Sequence, residues 1–290
     1  MSIKGGDKMQ EVESANEVLE TFNQIVNTGK VLPFDKKNSL KVGIDLGTSS
    51  IVLVVLDDED NPVYGSFQYA NVIRDGLVVN YIQAVEIVRK LKADAEEAVG
   101  RQLTVASGAV PPGTIGKNKS VVGNVIESAE MEVDNIVDEP TAAACLLKIN
   151  DGYVVDVGGG TTGISVFEKG EIQHVLDEPT GGTHMTLVLA GYHNVSYEEA
   201  EQIKRDKKKE RENFLVIQPV VEKMAEITRK AIENSGYITD SPIYLVGGAS
   251  NFSDFTDTFS KYLNKAVVKP SFPQFVTPIG IAMNCGKEAE

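Results

Sequence analysis

The alternation of apolar and polar residues divides most of the chain into the strands and helices of a mixed α/β protein. Short apolar runs rich in β-branched residues predict strands at 41–46, 51–56, 62–68, 103–108, 131–137 and 243–246. Apolar residues at three- and four-residue spacing predict helices between these runs, the longest at 82–99 and 214–235. Strands that alternate with helices in this way are typical of a partly parallel sheet covered by helices.

Two strand pairs in this pattern are joined by turns of glycine and hydroxyl residues that follow an acidic residue. Asp45 precedes the first turn, and Asp156 precedes the second. The turn residues are Gly47, Thr48 and Ser49 in the first case and Gly158, Gly159, Gly160, Thr161 and Thr162 in the second. Glycine lets backbone N–H groups approach an anion, hydroxyls add bonds to phosphate, and the carboxylate suits a hydrated Mg²⁺. Repetition of the pattern predicts two related half-domains that clamp a polyphosphate and its metal, rather than two unrelated hairpins.

The spacing of Gly158, Gly160 and Gly163 also matches the dinucleotide-binding fingerprint of Rossmann folds. That fingerprint functions only where the glycine turn opens a helix, because the helix N-terminus receives the pyrophosphate. Here the turn is followed by a β-branched stretch with a Lys169–Gly170 turn and no helical period. The pattern is therefore strand, turn, strand, and a Rossmann site is excluded.

Three further positions carry candidate chemistry. Glu139 and Pro140 follow a predicted strand and begin a helix, so the carboxylate either caps that helix or orients a water molecule. Gly181 and Gly182 form a loop before a helix predicted from His184, whose positive end would attract an anion. Finally, Gly247 and Gly248 follow the last core strand and allow close approach of a ligand.

Two segments outside the core pattern have more than one interpretation. Residues 1–39 contain a polar start, an amphipathic helix with Val18, Leu19, Phe22, Ile25 and Val26 on one side, and a linker. That helix either packs on its own domain or docks to a partner. The charged run at 204–212 is either a solvated surface or one wall of a nucleotide site.

Composition and charge narrow the classes of function. A hydrophobic content of 42% suits a globular protein, and no apolar run reaches the ~18 residues of a membrane span. The formal net charge of −14 argues against a nucleic-acid partner. The start lacks a signal-peptide pattern, and Cys145 and Cys285 are too few for a disulfide framework, so we expect a cytoplasmic protein.

Taken together, the ordered motifs resemble those of the actin-like ATPase superfamily, which includes actin, DnaK-type chaperones, MreB and FtsA. The segments that carry this resemblance are GIDLGTSS, DEPTAAA, VVDVGGGTTG and LVGGAS. More narrowly, VIRDGLV, SGAVPPG, GGTHMTL and EEAEQIKR resemble the EutJ family of ethanolamine-utilisation proteins. The resemblance covers about residues 40–286. It implies the actin-like ATPase fold, with duplicated ribonuclease H-like half-domains at 40–150 and 151–290 after an N-terminal tail and helix at 1–39.

The resemblance also implies roles for the candidate residues, with ATP and Mg²⁺ as ligands. Asp45 and Asp156 would hold the metal through water, and Glu139 would orient the attacking water. Contacts to the nucleotide would come from Gly47, Thr48, Ser49, Gly158, Gly159, Gly160, Thr161, Thr162, Gly181, Gly182, Gly247 and Gly248. The implied function is a chaperone-like or reactivating role in ethanolamine catabolism. The implied partner is a client protein, or an enzyme or shell protein of a bacterial microcompartment.

The chain departs from actin and DnaK in one respect that bears on turnover. Both of the inserted subdomains that overhang the nucleotide in those proteins are missing or vestigial here. We therefore expect at most a weak ATPase, because a wetter cleft weakens electrostatic contacts to the phosphoryl group. The alternatives are a scaffold that binds nucleotide without hydrolysis and a small-metabolite kinase of the same fold. A filament former is less consistent with the missing subdomains.

Overall fold

The computed structural model describes residues 5–74, 77–114, 117–237 and 240–286, and for 5–11, 117 and 118 only the backbone. A turn predicted at Asp75–Gly76 lies outside the described residues. The chain divides into two compact units. Unit 1 comprises Met1–Ile149 and Pro270–Glu290, and unit 2 comprises Asn150–Lys269.

The strands and helices alternate along the chain as the hydrophobic pattern predicts. The strands are β1 (Lys41–Leu46), β2 (Ser50–Leu56), β3 (Pro62–Tyr69), β4 (Ile73–Arg74), β5 (Leu77–Val78), β6 (Val105–Val110), β7 (Glu132–Asp138), β8 (Gly152–Val157), β9 (Thr162–Glu168), β10 (Glu171–Glu178), β11 (Ile243–Val246) and β12 (Val267–Val268). The helices are α1 (Gly5–Thr28), α2 (Tyr81–Val99), α3 (Lys117–Ser128), α4 (Glu139–Leu147), α5 (Gly182–His193), α6 (Tyr197–Arg205), α7 (Glu210–Ser235), α8 (Phe255–Leu263) and α9 (Val276–Met283).

Each unit is built on a five-stranded sheet, and the two sheets have the same topology. The order is β3-β2-β1-β6-β7 in unit 1 and β10-β9-β8-β11-β12 in unit 2. In both sheets, the three strands listed first pair antiparallel with one another. The central strand then pairs parallel with the fourth, and the fourth pairs parallel with the fifth. The prediction of two related halves from the repeated glycine turns is confirmed at the level of the fold.

The core of unit 1 lies between its sheet and helices α2 and α3. The predicted apolar side of α2 is buried, including Ala84, Ile87, Val88, Leu91 and Ala95. Asn80 caps this helix, because its side chain accepts a hydrogen bond from the N–H of Gln83, and Gly100 ends it in a left-handed conformation.

Helix α1 packs on unit 1 through its apolar side. From the sequence, this side was expected either to pack on its own domain or to dock to a partner. Leu19, Phe22 and Ile25 are buried, whereas Val18 and Val26 are half-buried. The ring of Phe22 contacts Phe275 edge-on, with centroids 5.1 Å apart. It also fills the space where a residue larger than Gly65 in β3 would place its Cβ. The structure therefore supports packing on its own domain, and this side of the helix is not available to a partner.

Helix α9 belongs to unit 1, although the sequence-based division placed 151–290 together in the second half. It packs against β1 and α4 with little space between backbones. A Cβ on Gly280 would overlap the carbonyl of Ala142, and a Cβ on Gly43 would lie 2.9 Å from the Cα of Ala282. Small residues at both contacts explain why the end of the chain returns to the first unit, a pairing with no local signal in the sequence.

Two helices begin earlier than their apolar periodicity predicts. Helix α7 was predicted from Phe214 but begins at Glu210, and α5 was predicted from His184 but begins at Gly182. In both cases the first turn consists of charged or small residues that carry no periodic signal. Among the described helices, none combines the length and the hydrophobicity that crossing a bilayer would require.

Candidate functional site

The glycine turns of unit 2 lie side by side at one edge of its sheet. Strands β8, β11 and β12 are parallel, so their carboxyl ends meet at that edge. Asp156 near the end of β8 is paired in register with Val246, the last residue of β11. The turn that begins at Gly158 and the turn that begins at Gly247 therefore start next to each other. In open α/β sheets, this edge is where ligands bind.

Gly247 has a backbone and a neighbourhood that only glycine permits. Its φ is +88°, a conformation that residues with a Cβ rarely adopt. A Cβ at this position would overlap Oδ1 of Asp156 and the carbonyl group of Val157. Glycine at 247 is thus required by the nearby Asp156 carboxylate and Val157 carbonyl, and the close approach of a ligand there stays a prediction.

The turn after β8 is held in place by the start of helix α5. The N–H of Gly158 donates to the carbonyl of Thr161 at 3.0 Å, which closes the turn. The carbonyl of Gly158 accepts from the N–H of Gly182 at 2.9 Å, and that of Gly159 accepts from the N–H of Thr183 at 2.8 Å. The Thr183 hydroxyl adds a bond to the carbonyl of Gly159 at 2.9 Å. The first N–H groups of α5 therefore bind the turn.

These bonds determine where the remaining N–H groups of the turn point. The described chain contains no cis peptide bond, so each N–H points opposite to the carbonyl of the residue before it. Because the carbonyls of Gly158 and Gly159 point toward α5, the N–H groups of Gly159 and Gly160 point away from it. Within the described part of the chain neither donates to a protein acceptor. Two adjacent N–H groups directed the same way form an anion-binding nest.

Three residues that were predicted to contact nucleotide have structural roles in this arrangement. The Thr162 side chain is buried, and its hydroxyl donates to the carbonyl of Thr180 at 2.6 Å, so its proton is not available to a phosphate. Gly181 is needed for close packing, because a Cβ there would lie 2.8 Å from the carbonyl oxygens of Gly158 and Gly159. The N–H of Gly182 is used on the turn itself. Thr161, by contrast, is only half-buried.

A buried ion pair beside α5 was not predicted from the sequence, which placed Lys204 in a charged run and gave Glu201 no role. The Lys204 ammonium donates to the carbonyl of Gly182 at 3.1 Å and to the Thr186 hydroxyl at 2.7 Å. It also forms an ion pair with Glu201 at 2.7 Å, and both side chains are less than one-fifth exposed. The signal that could have found this pair is the i, i+3 spacing of opposite charges on one helix.

Burial and pairing shift the pKa values of both partners. Burial lowers the pKa of Lys204, although the neighbouring Glu201 carboxylate opposes that effect. For Glu201, burial acts to raise the pKa, but the charge of Lys204 and hydrogen bonds from Lys204 and Thr186 outweigh it and hold the pKa below its usual value. The pair ties α6 to the start of α5.

In unit 1, a glycine turn also follows an acidic residue and connects two antiparallel strands, β1 and β2. Asp45 is paired in register with Val52, and Gly47, Thr48 and Ser49 connect the strands. A Cβ on Gly47 would lie 2.9 Å from the carbonyl of Ser50, which explains the glycine. Thr48 and Ser49 are half-buried, and so is Asp45.

Two acidic residues, Asp138 and Glu139, lie at the start of α4. From the sequence, Glu139 was expected either to cap this helix or to orient a water molecule. Asp138 is the N-cap: Oδ1 accepts from the N–H of Thr141 at 2.9 Å, and Oδ2 accepts from its hydroxyl at 2.8 Å. Glu139 is the first helical residue and is half-buried. The alternative in which Glu139 caps the helix is therefore wrong, and its carboxylate is not the group that holds α4 in place.

The donor set at these turns fits a magnesium nucleotide better than a directly ligated metal. Among the described residues, no group of three or more His, Cys, Asp or Glu side chains could hold a metal ion. Mg²⁺ typically keeps several waters and binds through one or two carboxylates plus phosphates. The single carboxylates Asp45 and Asp156, each beside a glycine turn, match that pattern.

Comparison with known proteins agrees with the architecture described above. The family model described as cell division protein FtsA matches residues 153–280, and the model described as Hsp70 protein matches residues 77–213. A solved complex, the PilM-PilN type IV pilus biogenesis complex, contains a chain with a TM-score of 0.70 at 14% identity, covering 85% of this chain and 98% of that one. The likeness to the pilus protein concerns the fold alone. The fold is that of the actin-like ATPases.

Nearer relatives share one name. Ethanolamine utilization protein EutJ of Escherichia coli (strain K12) is 40% identical over 259 residues, which are 89% of this chain and 90% of the relative. The Salmonella typhimurium protein of the same name is 39% identical over the same shares. The crystal structure of EutJ from Carboxydothermus hydrogenoformans has a TM-score of 0.90 and 48% identity, and covers 94% of this chain and 99% of that one. The chain belongs to the EutJ family.

Proposed function

We propose that the protein binds ATP with Mg²⁺ and hydrolyses it slowly in support of ethanolamine utilisation. The observation that carries this proposal is the nest formed by the N–H groups of Gly159 and Gly160, whose direction is set by the bonds from α5 to the preceding carbonyls. A side chain at either position would hinder close approach of a phosphate to the backbone.

Within this proposal each turn has a defined task. Gly159, Gly160 and Thr161 bind phosphate oxygens, and Gly158 closes their turn. Thr48 and Ser49 offer hydroxyls from the turn of unit 1, where Gly47 allows the backbone to bend. Gly247 and Gly248 leave room for the adenosine. Asp45 and Asp156 accept hydrogen bonds from the water around Mg²⁺, which neutralises phosphate charge when it is bound.

Glu139 is the residue that we assign to the attacking water. Glu139 lies on the first turn of α4. The N-cap of that turn is Asp138 and not Glu139. A carboxylate at the Glu139 position can accept a proton or a hydrogen bond from water and so orient it for phosphoryl transfer.

The physiological role that we propose is chaperone-like or reactivating, with a protein client. The relatives that cover nearly the whole chain are named for ethanolamine utilisation. DnaK of Gracilaria tenuistipitata var. liui, named as a chaperone, is 25% identical over 201 residues, which are 65% of this chain and 30% of that protein. The client would be an enzyme or shell protein of ethanolamine breakdown, in the cytoplasm or in a bacterial microcompartment.

A thermal-shift experiment with ATP, ADP or no nucleotide, each with and without Mg²⁺, tests the ligand assignment. A ligand at 100 times its dissociation constant should stabilise the folded protein by about 2.7 kcal/mol. We expect a rise in melting temperature with both nucleotides that is larger with Mg²⁺. No shift with any nucleotide at millimolar concentration would contradict nucleotide binding.

A scaffold that binds nucleotide without hydrolysing it is the second candidate. The observation that favours it is a short connection in each unit. Residues 70–80 contain only the β4–β5 pair among their described residues, and α6 is joined to α7 by a single 3-10 turn at Lys207–Lys209. Single-turnover hydrolysis of radiolabelled ATP separates the two candidates, because a scaffold would show thermal stabilisation by nucleotide and no phosphate release.

A further inference from the structure

Lys269 lies at the ligand edge of unit 2 and is bonded to backbone carbonyls. It directly follows β12, whose carboxyl end lies at the same sheet edge as those of β8 and β11. Its ammonium donates to the carbonyl of Ser250 at 3.0 Å and to that of Phe252 at 2.6 Å. Both acceptors belong to the segment that follows Gly247 and Gly248.

The segment between Gly247 and Phe252 is thereby held at both ends. At its start, the carbonyl of Gly247 accepts from the Ser250 hydroxyl at 2.7 Å and from the Ser250 N–H at 3.2 Å. At its far end, Lys269 holds the carbonyls of Ser250 and Phe252. The Ser250 side chain itself is fully buried, so the turn has little freedom on its inner side. Two lysines hold the turn from outside: Lys269, which follows β12, and Lys207, whose ammonium donates to the carbonyl of Asn251 at 3.2 Å.

The half-buried ammonium of Lys269 obtains its hydrogen bonds from these carbonyls. Burial lowers the pKa of Lys269, and the nearby Lys207 lowers it further, while Glu210 and Asp254 oppose the shift. No carboxylate of the described residues lies within ion-pair distance of it. A half-buried cation without an ion pair is retained where its hydrogen bonds are satisfied, and here the turn provides them.

We propose that Lys269 is a positioning residue for the adenosine side of the site. It acts through the Gly247–Phe252 turn, which it holds in the conformation that leaves Gly248 open to the ligand. The inference rests on the nucleotide-binding function proposed above and adds a specific role within it. Because the phosphate nest at Gly159 and Gly160 is held by α5 and not by Lys269, the two halves of a nucleotide should respond differently to loss of this side chain.

The test compares three ligands on four proteins by titration calorimetry. The ligands are MgATP, MgADP and magnesium tripolyphosphate, which has the phosphates without the adenosine. The proteins are wild type, K269M, K269R and the control K261M, which removes an exposed lysine from α8. We expect K269M to bind MgATP and MgADP at least tenfold more weakly and tripolyphosphate within twofold of wild type. K269R should recover most of the loss, since guanidinium also donates to carbonyls, and K261M should match wild type.

Each other result overturns the inference in an identifiable way. Wild-type affinity of K269M for MgATP would show that Lys269 does not position the turn. Equal weakening of all three ligands would show general destabilisation. If wild type bound none of the ligands, the proposed function would fail first and this inference with it. Should K269M not fold, K269Q, whose amide still donates one hydrogen bond, carries the same comparison with K269R.

Discussion

Gly247 and Asp156 occupy adjoining space so closely that a Cβ on the glycine would overlap Oδ1 of the carboxylate. The two residues end up together because Asp156 is paired with Val246 across parallel strands β8 and β11. The glycine of the second turn therefore determines where the carboxylate of the first turn can point. A proposed metal-binding side chain and a proposed adenosine-binding turn are thus coupled by packing alone.

Replacing Gly247 by alanine should damage both stability and ligand binding. A residue with a Cβ at φ +88° costs on the order of 1–3 kcal/mol, and the overlap with Asp156 and Val157 adds to that cost. We expect a lower urea midpoint and weaker MgATP binding. The control is Gly191→Ala in α5, where a Cβ would meet no atom within 4 Å and alanine should stabilise the helix by about 0.5–1 kcal/mol. Equal midpoints for the two variants would contradict the prediction.

Replacing Asp156 by alanine should weaken binding without unfolding the protein. The carboxylate lies at the end of a strand and is half-buried, whereas the turn beside it is held by α5. We expect a loss of affinity for MgATP in calorimetry and a much smaller loss for ATP measured with a chelator, since the contact to the metal is present only in the first condition. The same loss in both conditions would remove Asp156 from the metal site.

The N-terminal helix gives a prediction about stability that decides between packing and docking. Phe22→Ala should lower the free energy of unfolding by about 3–5 kcal/mol, because the ring is buried against Gly65 and Phe275. Glu13→Ala, on the exposed side of the same helix, should change it by less than about 0.5 kcal/mol. Urea unfolding of both variants is the measurement. An unchanged midpoint in Phe22→Ala would mean that the helix leaves the domain in solution.

The buried pair of Glu201 and Lys204 predicts a pH-dependent loss of stability. The pKa of Glu201 is lower in the folded protein than its usual value, so the carboxylate stabilises the fold at neutral pH. That contribution is lost as the pH falls through the folded-state pKa, below the usual carboxyl range. Glu201→Gln should therefore cost about 3–5 kcal/mol at pH 7, since it leaves Lys204 buried without its partner.

The difference between Glu201→Gln and wild type should shrink in acid, where the wild-type carboxyl is also neutral. Urea unfolding at a series of pH values from neutral to acid tests this, with Glu198→Gln on the exposed first turn of α6 as the control. A stability difference that stays constant with pH would show that packing, and not charge, explains the effect.

The fold could be predicted from sequence because its signals are local. The glycine turns after β1 and β8 each follow an acidic residue in a short apolar strand, and each long helix carries its own periodicity. The candidate positions Gly247 and Asp156 were found for the same reason. What local pattern cannot give is the partner of a side chain. Thr162 is a residue type that can bind phosphate, yet its hydroxyl donates to the carbonyl of Thr180 on a neighbouring segment.

The other differences between prediction and structure also arise from contacts between distant segments. Lys204 was part of an apparently solvated run, but the carbonyl of Gly182 and the carboxylate of Glu201 draw its ammonium under α5. The return of α9 to unit 1 depends on Gly280 and Ala142, two small residues far apart in the chain. Small residues allow close packing without specifying their partner, so only the folded chain shows it.

The two acids at the start of α4 provide the test that separates an ATPase from a scaffold. Asp138→Ala removes the cap of the helix and should cost about 0.5–2 kcal/mol of stability. Glu139→Gln keeps the cap, so it should cost less stability than Asp138→Ala. If Glu139 orients water, Glu139→Gln should lower the rate of single-turnover ATP hydrolysis by about tenfold or more with unchanged nucleotide affinity.

The wild-type rate itself should lie well below the ~1 s⁻¹ lower end of ordinary turnover, because the described residues contain no inserted subdomain that could exclude water from bound nucleotide. Equal rates for wild type and Glu139→Gln would remove that residue from the mechanism. Hydrolysis by neither protein, together with thermal stabilisation of both by MgATP, would favour the scaffold, because binding would then be complete without an oriented water. A slow wild-type rate that falls in Glu139→Gln while stability is preserved has no explanation in a scaffold, since the substitution leaves the fold and the nest at Gly159 and Gly160 intact.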